Sequence, residues 1–136
     1  MKTLLWLDDY RDPLTNNWLV FSPIEQPFKV VWVKSYQEFV DWIITNGLPT
    51  AICFDHDLGE DIAQEGRNRG MSKRASKKLK IGLKTGMDCA KWLVDYCLDN
   101  NLSLPLYNIQ SANPVGKENI NSLLKSFIKF HNLSKS

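Results

Sequence analysis

Four short apolar runs place the strongest constraint on what this chain can become. They are "TLLWLD" (residues 3–8), "KVVWV" (29–33), "TAICFD" (50–55) and "LPLYNIQ" (104–110), and none of them alternates strictly between apolar and polar residues. Such runs fit strands covered on both faces, as in a parallel sheet. Helical patterns separate the later ones. Ser35 opens "SYQEFVDWIITNG" with Glu38 three residues on as a capping box, and Gly47 stops it. "MDCAKWLVDYCLDNN", after Gly86, places Cys89, Leu93, Tyr96 and Cys97 on one face, and "KENINSLLKSFIKF" does the same with Ile120, Leu123, Leu124, Phe127 and Ile128. Residues 10–28 hold Pro13, Pro23 and Pro27 and show no clear period, so a loop with at most a short helix is expected there. The resulting order predicts one α/β domain over 1–136, with a short parallel sheet of about four strands and helices on both of its faces.

In a sheet of this kind ligands bind outside the carboxyl ends of the strands, near the point where strand order reverses. The polar residues of interest fall at that edge. Asp8 and Asp9 close the first strand, Asp55, His56 and Asp57 close the third, and Ser111, Asn113 and Lys117 follow the fourth. Carboxylates brought this close repel and raise one another's pKa. A hard divalent cation, Mg²⁺ or Mn²⁺, would relieve the repulsion, because such ions take oxygen ligands and keep room for water and phosphate oxygens. Asp8, Asp9 and Asp55 are the expected ligands, with Ser111 and Lys117 placed to hold a phosphoryl group. The plainer alternative is that "DYRDP" is only a turn and that Asp57 caps the segment after it.

Composition narrows the class. A 43% hydrophobic content is ordinary for a globular protein. The start "MKTLLWLDDY" turns acidic before a signal-peptide core could form, and no run reaches the length of a membrane span, so a cytoplasmic protein is expected. Cys53, Cys89 and Cys97 form no metal-ligand pair and read as buried reduced thiols. The net charge of +2 is unevenly spread: residues 66–84 carry eight of the 17 basic residues and none of the 15 acidic ones, leaving 9 − 15 = −6 elsewhere. This basic insertion, within about 58–85, is long for a strand-to-helix connection and is expected to act as a solvated loop, lid or binding arm, with Gly66, Gly70 and Gly82 allowing motion and Lys73 and Arg74 meeting an anion.

The acid pair, the later Asp, the Ser and the Lys together resemble the receiver domain of response regulators. The segments "LWLDDYRDP", "FDHDLG", "TGMDCAKWL" and "QSANPVGKENI" more closely resemble the cyclic-phosphate processing receiver-like family. That resemblance implies a three-layer receiver-like (flavodoxin-like) fold, here reduced by the first crossover helix and the final strand and helix. It also implies metal-dependent chemistry on phosphate esters, cyclic phosphates among them. Gln110 stands where the family pattern has His. For a phosphodiester hydrolase, Asp55, His56, Asp57 and Arg11 are the candidate catalytic residues, His56 as acid or base and Arg11 gripping a nonbridging oxygen. Ser111, Asn113, Lys117, Asn119, Thr85, Lys73 and Arg74 are the candidate substrate-binding residues. The expected partner is a phosphorylated small molecule, a nucleotide or a nucleic-acid end, with no membrane. Two other readings stand beside the hydrolase: a module that binds a nucleotide messenger without turnover, and a signalling receiver phosphorylated on Asp55. A primase-like nuclease domain ranks last, because it needs an isolated Glu after its first strand.

Overall fold

The computed structural model describes residues 1–80 and 83–135. Its sheet has four parallel strands, β1 (Thr3–Leu7), β2 (Lys29–Val33), β3 (Ala51–Phe54) and β4 (Leu106–Ile109), in the order β2-β1-β3-β4. The register sets Leu7 beside both Val33 and Phe54, and Phe54 beside Ile109, so the four strand ends are level. This is the flavodoxin-like order short of its fifth strand, a reduced α/β fold.

Chain direction explains the two faces. The step from β1 to β2 runs one way across the sheet, and the steps from β2 over β1 to β3 and on to β4 run the other way. With right-handed crossovers, the two directions put their connections on opposite faces. On one face, α1 (Tyr36–Asn46), α4 (Gly86–Asn100) and α5 (Pro114–Lys135) pack against Leu5, Leu7, Ile52 and Phe54 through Phe39, Ile43, Leu93, Ile120 and Leu124. On the other, Leu4, Trp6, Ala51 and Cys53 are covered by Trp18, Leu19, Phe21, Ile24 and Phe28. The second covering layer is the proline-rich segment, where a loop with at most a short helix was expected; it carries a 3-10 helix, Trp18–Phe21, and its three prolines leave no room for a full crossover helix. Polar groups of that layer are satisfied from the sheet: Asn108 Nδ2 donates to the Phe21 carbonyl at 2.8 Å and Trp6 Nε1 to that of Arg11 at 3.0 Å.

The helix starts follow their capping residues. Ser35 Oγ accepts the Glu38 N–H at 3.1 Å. Thr85 and Asp88 form a reciprocal capping box on α4, with the Thr85 N–H donating to Asp88 Oδ2 at 2.7 Å. Asn113 Oδ1 accepts the Gly116 N–H at 2.9 Å and Pro114 follows it, so α5 begins at Pro114, three residues before the expected Lys117.

The basic insertion differs most from expectation. It folds as two helices, α2 (Glu60–Asn68) and α3 (Lys73–Lys78), tied by Arg67 Nη1 donating to Ser76 Oγ at 3.3 Å. Gly66 is a packing position and gives no mobility: a Cβ there would lie 2.8 Å from Leu79 Cδ1 and 2.9 Å from Met71 Sδ. Gly70, at φ +94°, makes the turn between the helices, and Gly82 lies outside the described residues. Cys53, Cys89 and Cys97 are free and buried, and burial pushes the Cys53 thiol up to about 12.

Candidate metal centre

The level strand ends create the site. Asp8 follows β1 and Asp55 follows β3, next to each other across a parallel pair, and the Asp55 N–H donates to the Leu7 carbonyl at 3.0 Å. The connections from these two strands leave toward opposite faces, which opens a crevice between their ends. Asp8, Asp9 and Asp55 are 1%, 4% and 6% exposed, and each offers one oxygen within 4.8 Å of the others. They border a cavity of about 180 Å³ together with Tyr10, Arg11, Asp57 and Ala112.

Burial first, then the nearby Asp8, Asp9 and Asp57 charges, push the Asp55 carboxyl up to about 7; Arg11 offsets part of this. Asp8 Oδ1 is fixed by the Tyr10 and Arg11 N–H groups at 3.0 and 2.9 Å, whereas its buried Oδ2 accepts no hydrogen bond and has only the Arg11 guanidinium at 3.5 Å. Three buried carboxylates, one with its pKa raised by burial and by its neighbours and another with an oxygen that accepts no hydrogen bond, suit a hard divalent cation with oxygen ligands. The residues present therefore fit Mg²⁺ or Mn²⁺.

Arg11 is positioned from three sides. Its Nη1 donates to the Gln110 carbonyl at 2.9 Å and lies 3.5 Å from Asp8 Oδ2, and its guanidinium lies over the Trp18 ring, 5.0 Å from the centroid. Gln110 braces the site: buried at 4% exposure, it donates from Nε2 to the Leu7 carbonyl at 3.0 Å, tying the end of β4 to the end of β1.

The acid strand end divides its side chains. Asp55 and Asp57 face the cavity, and His56 does not border it. His56 Nδ1 lies 2.9 Å from Asp57 Oδ1, and its ring packs so tightly on α5 that a Cβ on Gly116 would be 2.3 Å from His56 Cγ. Burial raises the Asp57 carboxyl, but hydrogen bonds from His56 and Asn113 and the charges of His56 and Lys80 carry it below the usual carboxylate range. Asn113 reaches Asp57 Oδ1 at 3.3 Å, and Ser111 Oγ accepts the Asn113 N–H at 3.1 Å.

The remaining candidates stand apart from the cavity lining. Thr85 caps α4, Lys117 and Asn119 are exposed on α5, and Lys73 and Arg74 are exposed on α3. Sequence reasoning passed over Tyr10 and Ala112, which line the cavity, and Lys80, which acts on Asp57. Tyr10 sits between Asp9 and Arg11, so its place in the motif was the available signal. Lys80 carried none that set it apart from the other seven basic residues of its segment.

An acidic trio at the switch point of a parallel 2-1-3-4 sheet defines a receiver-like domain. The chain belongs to the family described as the cyclic-phosphate processing receiver domain, whose family model matches residues 3–126 of the 136. No curated protein matches it.

Proposed function

We propose that this protein is a metal-dependent phosphoesterase acting on a cyclic phosphate or nucleotide phosphodiester. The observation that carries the reading is the buried Asp8–Asp9–Asp55 trio beside a positioned Arg11, in a chain of the cyclic-phosphate processing family. Asp8, Asp9 and Asp55 would hold Mg²⁺ or Mn²⁺, which when bound supplies Lewis-acid polarisation and a more acidic water. Arg11 presents a planar cation to nonbridging phosphate oxygens, and the Trp18 ring beneath limits its freedom. Asp57 and His56 form the acid–base unit, the carboxylate facing the cavity as the base and the imidazole holding it there through Nδ1. Asn113 and Ser111 orient that carboxylate and the start of α5, so their part in binding is to fix the anion-facing loop. Lys117, Lys73 and Arg74 act at longer range by drawing an anionic ester toward an otherwise acidic edge, while Asn119 and Thr85 stand outside the cavity lining.

Incubation with linear and cyclic nucleotides in Mg²⁺, Mn²⁺ or chelator, followed by product separation, tests the reading. Turnover that needs metal and disappears in Asp55→Asn is the expected result. Tight binding without products would assign a sequestering module, and covalent labelling of Asp55 by acetyl phosphate without diester cleavage would assign a phospho-accepting receiver.

A further inference from the structure

A second cavity, of about 470 Å³, opens at the same edge of the sheet and shares no residue with the acidic one. Its apolar walls are Tyr36, Leu58, Ile62 and Leu83, and Lys34 and Lys84 stand at its border. The two cavities adjoin along the backbone. Asp57 borders the first and Leu58 the second, and Val33, whose carbonyl accepts the Asp8 N–H at 3.1 Å, directly precedes Lys34. Both lysines are aligned by aromatic rings, Lys34 Nζ 4.2 Å from the Trp32 centroid and Lys84 Nζ 5.6 Å from that of Tyr36.

A cavity of this size, mainly apolar with a few charged groups, has the character of a small-molecule site. The acidic cavity, at about 180 Å³, is smaller and has room for an ion and a phosphoryl group; beside its carboxylates and Arg11, only Tyr10 and Ala112 offer apolar surface to an organic moiety. We infer that the second cavity receives the base of a nucleoside phosphate whose phosphoryl group lies at the acidic trio, so that the natural ligand is a nucleotide and not a sugar phosphate. This rests on the phosphoesterase reading for the placement of the phosphate and adds to it the class of the organic part. Burying the base against Tyr36, Leu58, Ile62 and Leu83 supplies apolar affinity, and Lys34 and Lys84 favour an anionic ligand at the junction.

The test is titration of the full chain, in Mg²⁺, with adenosine 5′-phosphate, ribose 5-phosphate and inorganic phosphate. The nucleotide is expected to bind at least about tenfold more tightly than the sugar phosphate, given the apolar surface a base buries. The double variant Ile62→Ser/Leu83→Ser changes two residues that are 41% and 39% exposed, so it should fold; it is expected to remove that gap and leave inorganic phosphate binding unchanged. Equal affinity for nucleotide and sugar phosphate, with phosphate still bound, would overturn the inference and leave the phosphoesterase reading intact. A gap that survives in the double variant would also overturn it, by placing the base elsewhere. Absence of Mg²⁺-dependent binding of all three would overturn the reading and the inference together.

Discussion

Asp55→Asn is expected to stabilise the metal-free protein at pH 8 while abolishing the proposed metal-dependent turnover. The sign follows from the raised pKa. Asp55 titrates near 7 in the fold against an ordinary 3.8, so between those values the native state keeps a proton that the unfolded chain has released. Stability is therefore full below pH 4 and is lost as pH rises to 7, by an amount on the order of 4 kcal/mol for a shift of this size. Asparagine cannot ionise, so the variant should show no such loss over this range and should unfold at higher urea than wild type at pH 8 in chelator. Its amide can also donate toward the neighbouring carboxylates, which an ionised Asp55 cannot. The same change removes a metal ligand, and turnover under the proposed reading should fall about a thousandfold or more. Lower urea resistance than wild type at pH 8 would show that Asp55 is not under charge strain.

Gly86→Ala should be the most damaging small change in the fold. Glycine is ordinarily the worse helix residue by about 1 kcal/mol, so alanine in the first turn of α4 would normally stabilise. Here the added Cβ would lie 1.9 Å from the Asp55 carbonyl oxygen and 2.8 Å from His56 Cα, both backbone atoms that no rotamer change can move aside. Relief requires α4 to withdraw from the β3 end, which breaks the 2.8 Å hydrogen bond from the Gly86 N–H to the His56 carbonyl. A loss of about 3 kcal/mol or more is expected, and a fall in Tm of about 10 °C in a thermal melt. A neutral or raised Tm would contradict the close approach. The segment "TGMDCAKWL" thus reads physically: Thr85 caps α4, and Gly86 lets it dock against the acidic strand end.

The elements that sequence made legible are those whose local pattern and tertiary role agree. The four strands, α1, α4 and the acidic trio fall where their apolar runs and terminal acids place them, because parallel register alone brings Asp8 beside Asp55. The layering was less legible: that the face opposite the helices is closed by a 3-10 helix and proline-rich loop depends on strand order, and strand order is a tertiary fact. α2 went unseen because "EDIAQEGRN" has only Ile62 and Ala63 to mark an apolar face, and its charges read as loop. The orientation of His56 was legible only in part. Alternation along an extended strand end would oppose it to Asp55 and Asp57, and the ring does sit outside the cavity, but the reason is its packing on Gly116, 60 residues away in sequence (116 − 56).

Calorimetric titration of the chain with Mg²⁺ at pH 7, in two buffers of different ionisation enthalpy, tests the metal centre most directly. Cation binding at Asp8, Asp9 and Asp55 must displace the proton that the raised Asp55 carboxyl retains, so binding at this pH should release protons. The same Mg²⁺ should raise Tm, by more at pH 8 than at pH 5, where bound protons already relieve the repulsion. Binding heat with proton release and a pH-dependent rise in Tm is the predicted result; no heat and an unchanged Tm in millimolar Mg²⁺ and Mn²⁺ would contradict it.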